Sequence, residues 1–338
     1  MVSSSKWILA TLTGAGAVLA LAEPALAESA TRSTGYIIQQ LVNASLVGAL
    51  YSLLAVAYAL LHGITNRIVL SFGDVATFGA FGTIYMMLML LFSSWQTGLA
   101  IAAVFVIAVA STAALGAFMQ IGLFTPLVRS PTQAIMIASI GASIALQEGL
   151  RVQSGGRERW LSPIYADSAV NVDFDGFIVH VTGMQILILT ISAVLLTSLT
   201  LVLTKSRAGR LWRACSQNLP LAQLCGIDTS RVLTWTAAAA AAFAAVSGWI
   251  IAIGYGGVSF YMGLVLGLKA LFATIIGGFG TIGGAIVGGF FLAAVETIWS
   301  AYFPIVYRDV AAFLIVILIF VIKPDGLLSV GLRRDSEA

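Results

Sequence analysis

Two ionisable side chains, Lys269 and Glu296, fall inside long apolar segments, near residues 263–279 and 283–303. An ion in hydrocarbon is expensive, so it pairs, faces a bundle interior or lines a watery path. Lys269 lies about six residues into its segment and Glu296 about seven from the end of the next. At about 1.5 Å per residue, both sit roughly 9–10 Å below the same face. Opposite charges at matched depth on antiparallel neighbours predict an ion pair, and two roles stay open for it. It either locks the hairpin or lines a solute pathway. If the two pair, each single change to Leu is expected to harm activity more than exchanging the charges.

Little else in the chain arranges reactive chemistry. The nearest approach to a phosphate-binding loop, Gly263 to Ala270, lacks the Gly-Lys-Ser/Thr ending and a preceding soluble strand. No nucleophile elbow, HExxH run or carboxylate pair placed for acid–base work is present. Cys215 and Cys225 share one polar loop without CxxC or metal-ligand spacing, and the only histidines are His62 and His180. The expectation is a chain that is not an enzyme, has no metal site and binds no cofactor of its own.

Composition says what must hold these residues. The 338 residues are 59% hydrophobic and only 9% charged, against about 25% charged in soluble domains. Apolar runs fall near 36–61, 75–92, 98–120, 134–150, 183–204, 232–254, 263–279, 283–303 and 309–322. Most are long enough to cross about 30 Å of hydrocarbon. The expected fold is all-α: a polytopic helical transmembrane bundle of about 8–9 spans after an N-terminal signal peptide. Residues 1–27 have a signal-peptide layout, with Lys6, an apolar run and Ala25-Leu26-Ala27 before Glu28. An uncleaved first helix is the alternative. Cleavage leaves 28–338 as a single transmembrane domain whose N-terminus is outside and whose C-terminus is cytoplasmic. Basic residues fit that orientation, concentrating at 205–231, in the loops assigned inside.

Three further stretches carry signals. Ala273 to Phe290 holds seven glycines among eighteen residues. Each glycine within a helix costs roughly 1 kcal/mol relative to alanine in water, but small residues let membrane helices approach closely. Gly280, Gly284 and Gly288 form two overlapping GxxxG steps, while Gly277, Gly278, Gly283 and Gly289 permit a tight turn. The reading is a closely packed hairpin. The inside loop, Lys205 to Val232, is basic. Arg210 to Cys225 can form a short amphipathic helix interrupted near Pro220, with Leu211, Trp212, Ala214, Leu221, Ala222 and Leu224 as apolar contacts. It rests on lipid or docks in a groove of a cytosolic partner. The outside segment, 151–182, is a polar connector or a docking surface. Asp74 reads as a helix-start carboxylate rather than a ligand.

These motifs together resemble the permeases of branched-chain amino acid ABC importers, the LivH/LivM family, and LivH more closely. The resemblance rests on Gly209-Arg210, Arg213-Ala214 and Leu224-Cys225-Gly226-Ile227-Asp228 of the inside loop. It rests also on Gly267-Leu268-Lys269-Ala270, the run Gly277 to Ala285, Glu296, Tyr307-Arg308-Asp309 and Lys323 to Leu327. Gln39 to Asn43 and Gly48 to Leu53 match the family's first helix, so roughly 36–328 is covered. The resemblance implies an inner-membrane permease subunit working by alternating access. It implies two cytosolic ATPase subunits that carry ATP and Mg, a second permease chain, identical or different, and a periplasmic substrate-binding protein. The loop becomes the ATPase-coupling loop, with Gly209, Arg210, Arg213, Ala214, Leu221, Leu224, Gly226 and Ile227 as its coupling residues. An importer of urea, short amides or sugars on the same scaffold is an alternative, as is an ATPase-independent channel or secondary transporter. The chain departs from the family at Val69 to Asp74, where Asn-Phe-Ala-His-Gly-Glu is usual, and at Gln217-Asn218, where an acidic pair is usual.

Overall fold

The computed structural model describes residues 34–92, 97–127, 130–161, 168–174, 177–278, 281–323 and 326–327. The expected signal peptide, 1–27, and Gly280 lie outside the described residues. In chain order the helices are α1 (Thr34–Thr65), α2 (Phe72–Phe92), α3 (Thr97–Met119) and α4 (Thr132–Ser154). Strand β1 (Arg159–Trp160) and a hairpin of β2 (Ser168–Phe174) and β3 (Phe177–Thr182) follow. Then come α5 (Gly183–Lys205), α6 (Arg207–Gln217), α7 (Leu219–Leu224) and α8 (Thr229–Ile250). Strand β4 (Gly257–Val258), α9 (Met262–Gly277), α10 (Ile282–Tyr302) and α11 (Arg308–Ile322) complete the described chain. Single π-helical turns extend α3 through Gln120–Phe124 and α8 through Ile251–Tyr255.

Among the described residues, eight helical segments are long and apolar enough to span a bilayer, the last being Ile305–Ile322, in which a 3-10 turn at Ile305–Tyr307 runs into α11. The ninth apolar segment, expected at 263–279, is the 16-residue α9, which begins one residue earlier and ends two residues earlier than expected. Before it the chain turns at Gly256, φ +75°, and runs through β4, which pairs antiparallel with β1.

Helix α1 is the axis of the bundle. Its 32 residues make a rod about 48 Å long. Leu53 through Ala59 are buried on every side, as expected of a helix that is apolar all round. It touches α5, α6, α8, α9 and α10. Helix α8 packs closely because its alanines, Ala237 to Ala242 with Ala244 and Ala245, leave room for backbone. A Cβ on Gly248 would run into the backbone of Ala76 and Ala80 in α2.

Contacts sort the connections into two ends. At one end the Arg67 guanidinium donates to the carbonyls of Leu127 (3.2 Å) and Ser130 (3.0 Å). There Trp212 Nε1 donates to Leu60 O (3.3 Å), and Leu327 N to Ile276 O (2.7 Å). At the other end Tyr36 Oη donates to Ala301 O (3.3 Å). The Gln39 amide brackets the His180 backbone there, donating to its carbonyl (3.2 Å) and accepting from its N–H (2.9 Å). Arg67, Lys205, Arg207, Arg210, Arg213, Arg231 and Lys323 lie at the first end; Arg151, Arg157, Arg159 and Arg308 lie at the second.

Between α1 and α2 the chain turns back into the bundle without helical structure. Leu70 O accepts from Tyr58 Oη (3.3 Å), and Leu70 N donates to Ser139 Oγ (3.1 Å). Irregular backbone at this depth survives because protein packs around it and supplies its hydrogen bonds.

Candidate functional site

Lys269 and Glu296 meet as their spacing predicts. Nζ lies 2.9 Å from Glu296 Oε1, and both side chains are 5% exposed. The antiparallel hairpin α9–α10 makes this meeting, and its glycines permit the approach. Gly277 faces Gly284, and Gly288 lies on Ala273, so tightly that a Cβ at any of these three glycines would strike backbone. Gly278 turns the chain at φ +105°. Gly289, read as a turn residue, instead packs on Ser52 of α1, and Gly283 has open space where a Cβ would stand.

Three partners were not marked by the spacing. Asp309, in the first turn of α11, accepts the aligned hydrogen bond from Lys269 Nζ at 2.8 Å. The Lys269–Glu296 contact is an ion pair by distance, but Glu296 Oε1 has no aligned donor. Lys269 therefore bridges two carboxylates. Tyr51 Oη, from α1, donates to Glu296 Oε2 at 2.9 Å. Arg308 stands looser, its Nε 3.4 Å from Asp309 Oδ1 and 4.0 Å from Glu296 Oε2. Two cations and two anions make a neutral group. The signal for Arg308 and Asp309 was their adjacency at the start of the last span, where a carboxylate also meets the positive end of the helix.

Beside this group opens a cavity of about 330 Å³. Tyr51, Glu296, Arg308, Thr297, Ser300 and Tyr255 supply its polar lining, while Val47, Leu50, Ile251 and Leu266 supply an apolar wall. Lys269 does not line it and supports Glu296 from behind. Ile251 and Tyr255 belong to the π-helical turn that ends α8, an irregularity frequent at functional sites. Among the described residues no group of three His, Cys, Asp or Glu could hold a metal ion.

The basic segment after α5 folds as two helices. Asn218 caps the second by accepting from Leu221 N (3.0 Å), with Pro220 in its first turn. Its apolar residues split between two directions. Trp212, Cys215, Ala222 and Ile227 pack with Ile64 and Leu233 against the ends of α1 and α8. Gly209 is buried on Leu203, and the Arg213 guanidinium donates to the Leu203 carbonyl at the end of α5. Ala214 is half-buried, and Arg210, Leu221, Leu224 and Gly226 face outward. Burial also pushes the Cys215 thiol pKa up.

Asp74 stands in the first turn of α2, as expected, but its carboxylate is spent elsewhere. It is buried and accepts from Ser143 Oγ and from Gln147 Nε2 (2.9 Å) on α4. Ser143 and Gln147 are four apart, so one helix face carries both donors.

Comparison with known proteins places this architecture. The family model described as "Branched-chain amino acid transport system / permease component" matches residues 40–322. The high-affinity branched-chain amino acid transport system permease protein LivH of Escherichia coli K12 is 33% identical over 294 residues, covering 87% of this chain and 96% of that one. LivH of Salmonella typhimurium is 33% identical over 297 residues, 87% of this chain and 96% of its own. BraD of Pseudomonas aeruginosa, named for the same system, is 31% identical over 292 residues, 86% and 95% respectively. No solved structure matches the chain. The match takes in the hairpin, the charged group and the basic segment alike, and the chain belongs to the branched-chain amino acid transport permease family.

Proposed function

We propose that the chain is the membrane-spanning permease subunit of an ATP-binding-cassette importer, moving branched-chain or related amino acids across the bacterial inner membrane. The observation that carries this reading is the relatives' shared identity over almost their full length. Residues 28–338 form one permease domain, with the segment 205–231 and the C-terminus in the cytoplasm; the basic residues gathered at that end support the orientation. Two cytosolic ATPase subunits, carrying ATP and Mg, grip the outward-facing Arg210, Leu221, Leu224 and Gly226. A second permease chain completes the pore, and a periplasmic binding protein delivers substrate at the end bearing the β2–β3 hairpin.

Transport proceeds by alternating access. The ATP-bound and empty motors favour different positions of the coupling segment, and that difference shifts the equilibrium between two arrangements of the bundle. Trp212 joins the segment to α1, and Tyr51 joins α1 to the charged group beside the cavity. Movement at the motor therefore has a continuous path to the site.

The test is reconstitution in liposomes. The chain, its co-encoded ATPases, any partner permease and the binding protein should take up leucine only with ATP. Gradient-driven leucine flux through the chain alone would overturn the assignment.

A further inference from the structure

Arg308 is the ionic residue whose hydrogen-bonding capacity is least used. Lys269 touches both carboxylates at 2.8–2.9 Å, whereas the Arg308 guanidinium comes nearest to them through Nε, at 3.4 and 4.0 Å. Its two terminal nitrogens donate no hydrogen bond among the described residues, and the side chain is 40% exposed beside the cavity. A guanidinium presents a planar fork that matches a carboxylate in bidentate fashion, which an ammonium cannot do.

The rest of the cavity is graded around that fork. Glu296 Oε2 lies 4.0 Å from Arg308 Nε and shares its other side with the Tyr51 hydroxyl. An anion-reading and a cation-reading group thus stand side by side, the arrangement that a carboxylate and an ammonium on one carbon require. The apolar part of the lining is aliphatic. Val47 and Leu50 come from α1, Ile251 from the π-helical turn and Leu266 from α9. The volume of about 330 Å³ is near the lower end of small-molecule sites, roughly 300–1,000 Å³, so it suits a small metabolite rather than a peptide.

We propose that this cavity is a substrate station in which Arg308 reads the α-carboxylate of an aliphatic amino acid. Glu296 and Tyr51 receive the α-ammonium, and Val47, Leu50, Ile251 and Leu266 surround the side chain. Lys269 is a positioning residue that holds Glu296 from behind. The inference rests on the proposed import of amino acids and deepens it: selection occurs in the permease as well as in the protein that feeds it. A neutral amide or urea has no carboxylate and leaves the Arg308 fork unpaired.

The test uses the full chain in nanodiscs. Cys215→Ser and Cys225→Ser remove the native thiols, and Thr297→Cys places a reporter in the cavity lining. Maleimide labelling of the reporter is timed with leucine, leucinamide (no free carboxylate), 4-methylpentanoate (no ammonium) or urea. Leucine should slow labelling at lower concentration than any of the other three. Arg308→Gln should raise the protecting leucine concentration about tenfold or more, the size expected for losing a charge-assisted bond, and abolish the preference over leucinamide. Arg308→Lys should recover part of the preference, and it carries the test if Arg308→Gln does not assemble. Equal protection by leucine and leucinamide would overturn the role of Arg308. Absence of leucine protection, with ATP-driven leucine uptake by the whole assembly intact, would overturn the site but leave the importer standing. If that assembly takes up no leucine, the importer reading itself fails.

Discussion

At the scale of single residues, charge is balanced among four side chains rather than two. Lys269 and Glu296 alone predict that exchanging the charges is mild. Asp309 and Arg308 reverse that expectation. Lys269→Glu with Glu296→Lys would set a carboxylate beside Asp309 and an ammonium beside Arg308, within the present 2.8 Å and 4.0 Å contacts. The exchange should therefore lower leucine uptake as much as Lys269→Leu does, and reconstituted transport rates check it. Uptake near wild type in the exchanged variant would contradict the four-membered group. Lys269→Leu leaves Glu296 buried without its cation, a loss of about 3–5 kcal/mol for a broken buried pair. Asp309→Asn should be the gentler change, because Asp309 is 46% exposed and water screens it.

At the scale of elements, small residues set how closely the α9–α10 hairpin packs, and the basic segment after α5 divides its apolar residues between the bundle and the outside. Gly288 leaves no space for a side chain against Ala273. Gly288→Leu should force the hairpin apart, cost about 1–3 kcal/mol or more by overpacking, and lower the thermal midpoint of the purified chain. Gly283→Ala, with open space around it, should leave the midpoint unchanged. Equal effects would show that the glycines are not used for close approach. The basic segment after α5 was legible as an amphipathic, Pro-interrupted stretch. Which of its apolar residues are free was not, because periodicity marks an apolar face without naming what covers it. Trp212, Cys215 and Ala222 are consumed by the chain's own bundle, and Leu221 and Leu224 remain exposed.

At the scale of the whole molecule, the two cysteines report both packing and orientation. Cys225 is exposed and Cys215 buried. With the chain expressed without its proposed ATPases, a membrane-impermeant maleimide should label Cys225 in inside-out vesicles and leave intact spheroplasts unlabelled. Cys215 should stay unreactive in both. Burial shields it, and the same burial pushes its thiol pKa up. Labelling of Cys225 from the periplasmic face would invert the topology and with it the place of the motor.

The amino-acid order by itself determined the class, the number of apolar segments to within one, the glycine hairpin and the pairing of Lys269 with Glu296. These are consequences of hydrocarbon thickness and helical rise, which act along the chain and are written in local composition. Only the tertiary structure brought Asp309, Arg308 and Tyr51 to that pair, and it did so from two other helices. It also spent Asp74 on Ser143 and Gln147 across to α4 and paired β4 with β1 across the sequence. Those outcomes depend on which helix faces meet, a choice settled by close packing between distant segments, and no run of consecutive residues encodes it.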